Sequence, residues 1–96
     1  MKIARVTGVV TATVKDGQLQ GQKMLVLDIV DAKGKVLEAS VVALDVCGAG
    51  VNDHVIVATG SAARVAAQMS ATATDATVVA IIDEISLDGK SVYTAQ

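Results

Sequence analysis

A chain of 96 residues with 52% hydrophobic side chains, 19% charged ones, no Phe, no Trp and one Tyr predicts a single domain over 1–96. Its core must be built from small aliphatics. Eight Lys and Arg against ten Asp and Glu give a net charge of −2, without the basic surface that a phosphate backbone needs. One cysteine excludes an intrachain disulfide, and no apolar run reaches the roughly 18 residues of a spanning helix, so a cytoplasmic protein without membrane or nucleic-acid partner is expected.

The opening MKIARVTGVV breaks its apolar residues with Lys2 and Arg5, unlike a signal peptide. From Ile3 to Val14 the chain alternates, with Ala4, Val6, Gly8 and Val10 on one face, and predicts the first strand. Lys15 to Gln22 is a polar loop. Met24 to Val30, MLVLDIV, predicts the second strand, Asp31 to Gly34 a turn, and Val36 to Val46 the third strand of a hairpin. His54 to Thr59 predicts the fourth strand. Ser61 to Met69 is Ala-rich and predicts the one helix, with Ser61 suited to its N-cap. Ser70 to Ala76 is polar and irregular. Thr77 to Ile85 predicts a fifth strand, and the Asp88-Gly89 turn leads to a short last one.

Five or six strands with one short helix place the chain among all-β proteins, as a small barrel or a sandwich. MLVLDIV, VVALDV and TVVAII are apolar on both faces. A barrel this small turns only one face inward, so some of that surface is expected to meet other copies.

Recognisable chemistry is sparse. CGAGVND lacks the Lys and Ser/Thr of a phosphate loop, and a strand, not a helix, follows it. Gly48, Gly50 and Asn52 instead fit a tight turn that needs positive φ. Ser61 lacks a nucleophile elbow, and His54 is the only imidazole available to it. Cys47 and His54 are too few for a structural zinc site in one chain, and Cys47 reads as a small buried hydrophobe. Asp45, Asp83 and Glu84 lie on or near apolar strands without the spacing of a catalytic pair. No cofactor or metal is expected. An enzyme would need a pocket assembled between subunits from Cys47 and His54.

Three ordered blocks nevertheless resemble one family. ALD, then GAGVND and VIVATGSAAR, resembles the signature of the bacterial microcompartment vertex proteins of the EutN/CcmL type. The opening KIARVTGVVTATVKDGQLQGQKMLVLDIVDAKG and the late TDATVVAIIDEI resemble that family's first and last blocks. Asn52 stands where the family commonly has Gly, Ala62 where it often has a second Ser, and the chain has no Pro in its first loop.

The resemblance implies a five-stranded OB-like β-barrel with one short helix, assembling as a cyclic pentamer. It implies a structural, non-catalytic role capping the vertices of a polyhedral shell around metabolic enzymes, beside hexameric and trimeric shell proteins. Asp45, Gly48, Ala49, Gly50, Asn52, Gly60, Ser61, Ala62 and Arg64 would then lie at subunit contacts or around a central axis, their small side chains permitting close approach. Arg64 and Asp83 are expected in ion pairs that join subunits or lock the fold. The alternative is an OB-type binding module for nucleic acid or a small ligand, although such modules stack bases on aromatics that this chain lacks.

Overall fold

A computed structural model describes residues 1–12, 22–66 and 75–95. Five strands close into a barrel: β1 (Lys2–Val10), β2 (Met24–Val30), β3 (Val36–Asp45), β4 (His54–Thr59) and β5 (Ala76–Ile81). Their order round the barrel is β1-β2-β3-β5-β4, the arrangement of an OB-type barrel. The helix α1 (Ser61–Ala66) connects β4 towards β5, and a separate two-stranded sheet, β6 (Glu84–Leu87) with β7 (Lys90–Thr94), follows the barrel. The barrel of the sequence-based alternatives is therefore the one formed.

Alternation decides the core. Ala4 and Val6 of β1, Leu25, Leu27 and Ile29 of β2, Val55 and Val57 of β4, and Val78 of β5 are buried and pack into one cluster. Each strand contributes every second residue because its side chains point to opposite faces. On the other face Val42, partnered with Val26, remains exposed. A register shift between Val6 and Gly8 bends β1 where it crosses β2.

The β2–β3 turn forms where DAKG predicts it. The Asp31 carboxylate accepts from the amides of Lys33 and Lys35, both at 2.9 Å, and Gly34 takes a φ of 94°. The Lys35 amide, aided by that of Lys33, holds the Asp31 carboxyl below its usual pKa. Barrel closure is narrow: β3 meets β5 in parallel at only Leu44–Thr77 and Asp45–Val78.

Several boundaries differ from expectation. β1 ends at Val10, not Val14, and the expected loop from Lys15, up to Gly21, lies outside the described residues. β3 ends at Asp45 because its carboxylate turns back on the next loop. The helix begins at Ser61, and the amide of Ala63 donates to the Gly60 carbonyl at 3.1 Å, so Gly60 and not Ser61 holds the N-cap position. The helix's expected end, Ala67 to Met69, and the following 70–74 lie outside the described residues.

The expected strand from Thr77 to Ile85 is two strands. Ile81 pairs with Val55, and the Ile82 amide donates to the carbonyl of His54, the first residue of β4. No residue of β4 remains to pair beyond that point, so the chain leaves the barrel at Asp83 and starts β6 at Glu84. Asp88 and Gly89 then turn the chain with φ of 53° and 77°, the two positive values of a type I′ hairpin.

Candidate functional site

The first loop, between β3 and β4, is built on one carboxylate. Asp45 Oδ1 accepts from the amides of Cys47 at 2.9 Å and Gly48 at 3.1 Å, and Oδ2 accepts from the amide of Ala49 at 2.9 Å. Lys23, just ahead of β2, places its Nζ 3.3 Å from Asp45 Oδ2 and donates to the Ala49 carbonyl at 2.8 Å. The Asp45 side chain is fully buried, whereas Lys23 is about half exposed. A buried carboxylate with three amides and one cation is satisfied, and it fixes the backbone of CGAG in one shape.

The rest of the loop is closed by Asp53, whose carboxylate accepts from the Gly50 amide at 2.8 Å while its own amide donates to the Gly50 carbonyl at 3.1 Å. Gly48 and Asn52 adopt positive φ, 80° and 75°, as their residue types predict. Gly50 does not; a Cβ there would meet only Asp53 Oδ2, at an ordinary 3.8 Å. The turn is stitched to β1, since the Asn52 amide donates to the Val6 carbonyl and the Val6 amide to the Asp53 carbonyl, both at 2.9 Å.

Outside the barrel a polar ladder crosses from strand to strand. The Ser40 amide, at a residue with φ of 59°, donates to Asp28 Oδ1 at 3.0 Å. Asp28 lies 4.0 Å from Arg5, and Arg5 donates to Asn52 Oδ1 at 3.4 Å. Beside Arg5 in the β1–β4 register stands His54, whose ring stacks on Tyr93 of β7 with centroids 3.8 Å apart. Its Nδ1 is buried and has no partner of hydrogen-bonding geometry among the described residues. Burial pushes the His54 pKa below the ordinary 6.5, and the Arg5 charge pushes the same way, against the nearby Asn52 carbonyl.

The second loop lies at the other end of β4. Gly60 takes a φ of 63°, and its amide donates to the Asp75 carbonyl at 2.9 Å. Ala63 is fully buried, and its carbonyl accepts from the hydroxyl of the buried Thr77 at 2.8 Å. Ser61 and Ala62 are exposed, and the side chain of Arg64 lies outside the described residues. The two small-residue loops are thus separated by the six residues of β4, about 20 Å of strand, and do not form one cluster.

One sequence expectation is corrected here. Cys47 is exposed, not buried: its amide is held by Asp45 and the loop turns the side chain out of the barrel, with Sγ 3.6 Å from the Val78 carbonyl. His54 pairs with an aromatic ring and not with a thiol. Asp83 is exposed, and its carbonyl accepts from the Ala95 amide at 2.8 Å. Among the described residues, no group of three or more His, Cys, Asp or Glu could hold a metal ion.

Lys23, Asp53, Thr77 and Tyr93 were not singled out from the sequence. Asp53, three residues after Gly50, was findable as a local turn signal. The other three act through strand register, which local sequence does not carry.

The charged groups of the first loop are spent on its own backbone, and the chain is a small OB-type barrel with a small-residue bend at either end of β4. Residues 1–83 match the family described as Ethanolamine utilisation protein EutN/carboxysome. The chain is 42% identical to the carboxysome shell vertex protein CcmL of Synechococcus elongatus over 97% of this chain and 94% of that protein. It is 37% identical to the microcompartment shell vertex protein EutN of Salmonella typhimurium, over 97% and 94%. The solved structure of an ethanolamine utilization protein EutN superposes with a TM-score of 0.93 at 32% identity, covering all of both chains. A pentameric microcompartment shell protein, GrpN of Rhodospirillum rubrum, superposes with a TM-score of 0.79 at 34% identity, over 91% of this chain and 98% of that one. The chain belongs to the EutN/CcmL family.

Proposed function

We propose that this protein is a structural vertex protein of a bacterial microcompartment, forming a cyclic pentamer that caps the five-fold corners of the shell. The observation that carries the reading is similarity along 97% of the chain to proteins named as shell vertex proteins. The geometry supplies a mechanism. A head-to-tail contact whose rotation closes after five copies gives a ring, and a ring of five among six-fold tiles introduces the curvature that flat sheets lack.

In this reading Gly48, Gly50 and Asn52 form one subunit contact at the start of β4, shaped from within by the buried Asp45 and Ala49, and Gly60, Ser61, Ala62 and Arg64 form a second at its end. Because β4 separates them, both serve one ring only if β4 runs along the contact. Small side chains let neighbouring backbones approach, and the Asp45–Lys23 pair keeps the first bend from collapsing when it does. Asp83 lies at the exit from the barrel, available to a cation of an adjacent subunit. The pentamer's rim meets hexameric and trimeric shell proteins, and the role is architectural, without catalysis, in the cytoplasm.

The test is co-expression with a hexameric shell protein. Closed polyhedral particles are expected with this chain, and open sheets or tubes without it. Particles that close equally well in its absence count against the reading. Low-salt titration with an oligonucleotide separates the OB binding-module alternative, for which binding is required.

A further inference from the structure

The β6–β7 hairpin shares no ladder with the barrel, since its two strands pair only with each other. A lone two-stranded hairpin is marginally stable in water, so its order depends on what it packs against. It meets its own barrel where Tyr93 stacks on His54, with centroids 3.8 Å apart and the rings inclined by 28°. The backbone of His54 also anchors the exit from the barrel, its carbonyl accepting from the Ile82 amide at 2.8 Å.

We propose that His54 and Tyr93 form an acid-opened latch: protonation of the imidazole releases the hairpin and leaves the barrel closed. The surroundings of the ring favour its neutral form. Nδ1 is buried and has no partner of hydrogen-bonding geometry among the described residues. A second proton makes both ring nitrogens donors and puts a full charge where water is largely excluded. Across the β1–β4 register stands Arg5, whose like charge opposes that proton. The Asn52 carbonyl of the first loop acts the other way, as does the attraction of a cation for the Tyr93 face. The carboxylates of the region are engaged elsewhere or turned to water. Asp28 of β2 meets Arg5 and the Ser40 amide, Asp53 holds the Gly50 amide, and Asp83, Glu84, Asp88 and Lys90 are exposed. With the hairpin docked, the balance keeps the His54 pKa below 6.5. Release returns the ring to water and to its ordinary value, so the open form binds more protons and acid favours it. The core cluster of the barrel is aliphatic throughout and its strands pair with one another, so opening the latch removes none of its ladders.

Amide exchange of the full chain as the solution is acidified tests the latch, read as protection factors so that the intrinsic pH dependence of exchange drops out. Residues 84–94 are expected to lose protection below pH 6.5, by up to about tenfold per pH unit until the docked ring itself titrates. Amides of β1, β2 and β4 are expected to keep theirs over the same range. The variant His54→Phe keeps a ring for Tyr93 to stack on and cannot take a proton, so its hairpin is expected to stay protected throughout. Protection at 84–94 that ignores pH overturns the proposal. A loss that spreads equally through the barrel, or that persists in His54→Phe, overturns it too. Should the variant not fold, NMR titration of the imidazole in the unmodified chain decides. A midpoint at or above 6.5 removes the latch, and a lower one shared by the Tyr93 ring signals supports it. The latch lies within one chain, so it stands or falls independently of the ring.

Discussion

At the scale of single residues, the first loop shows how one side chain can set the shape of four, Cys47 to Gly50. Asp45 accepts from three consecutive amides and faces one lysine, all from a fully buried position. Asp45→Ala leaves those amides without their acceptor, whereas the half-exposed Lys23 keeps the Ala49 carbonyl, and a loss of about 1–3 kcal/mol in unfolding free energy is expected from denaturant titration. A loss below about 1 kcal/mol would show that water replaces the carboxylate freely. His54 is the other informative residue. Its pKa is lowered in the fold, so its contribution to stability is complete above pH 6.5 and is lost as pH falls through the lower folded value. Acidification below 6.5 is expected to lower the melting temperature and to change the emission of Tyr93, the chain's one aromatic fluorophore. His54→Gln is expected to flatten both responses. Equal pH profiles for the two proteins would assign the effect to other groups.

Elements end where their partners end. β5 stops because β4 has no residue left beyond His54, and the continuing apolar sequence IIDEI does not prolong it. Periodicity reads a strand's tendency, but pairing length depends on the neighbour, which lies more than twenty residues earlier. Among the described residues α1 is tied to the barrel by a hydroxyl of β5, Thr77, donating to the carbonyl of the buried Ala63. Thr77→Val preserves the side chain's shape and removes that donor. The expected cost is about 1–3 kcal/mol, with faster amide exchange in residues 61–66 than elsewhere. Uniform destabilisation without local exchange would mean that the helix is held by packing alone. The hairpin turns, by contrast, follow local chemistry: Asp31 with Gly34, and Asp88 with Gly89, stand where the residue types demand.

For the whole molecule the question is what closure leaves outside. The core takes Leu25, Leu27, Val55, Val57 and Val78, while Val9, Leu37, Val42 and Val51 stay in contact with water in a single copy. Association with further copies would cover such groups, at about 25 cal/mol per Å² of apolar area removed from water. Gly50→Val separates folding from assembly. Its φ is not positive, and a Cβ meets only Asp53 Oδ2 at 3.8 Å, so the loop itself has room for a Cβ there. The variant is expected to melt like the parent as a monomer but to lose the pentamer in native mass measurement. An intact pentamer would place Gly50 away from the subunit contact.

The sequence by itself determined most of the strand content, the placing of Ala4 and Val6 on one face of β1, both hairpin turns and the left-handed positions Gly48 and Asn52. These follow from side-chain alternation and from the steric limits of single residues, which are local. The ordered motifs also carried the family resemblance. Only the tertiary structure decided that β3 closes on β5, that Lys23 reaches Asp45, that Cys47 faces outward and that His54 meets Tyr93. It also placed the two small-residue bends at opposite ends of β4 and set the last two strands apart from the barrel. Each of these depends on which strand lies beside which and in what register, a relation between distant segments that no local pattern contains.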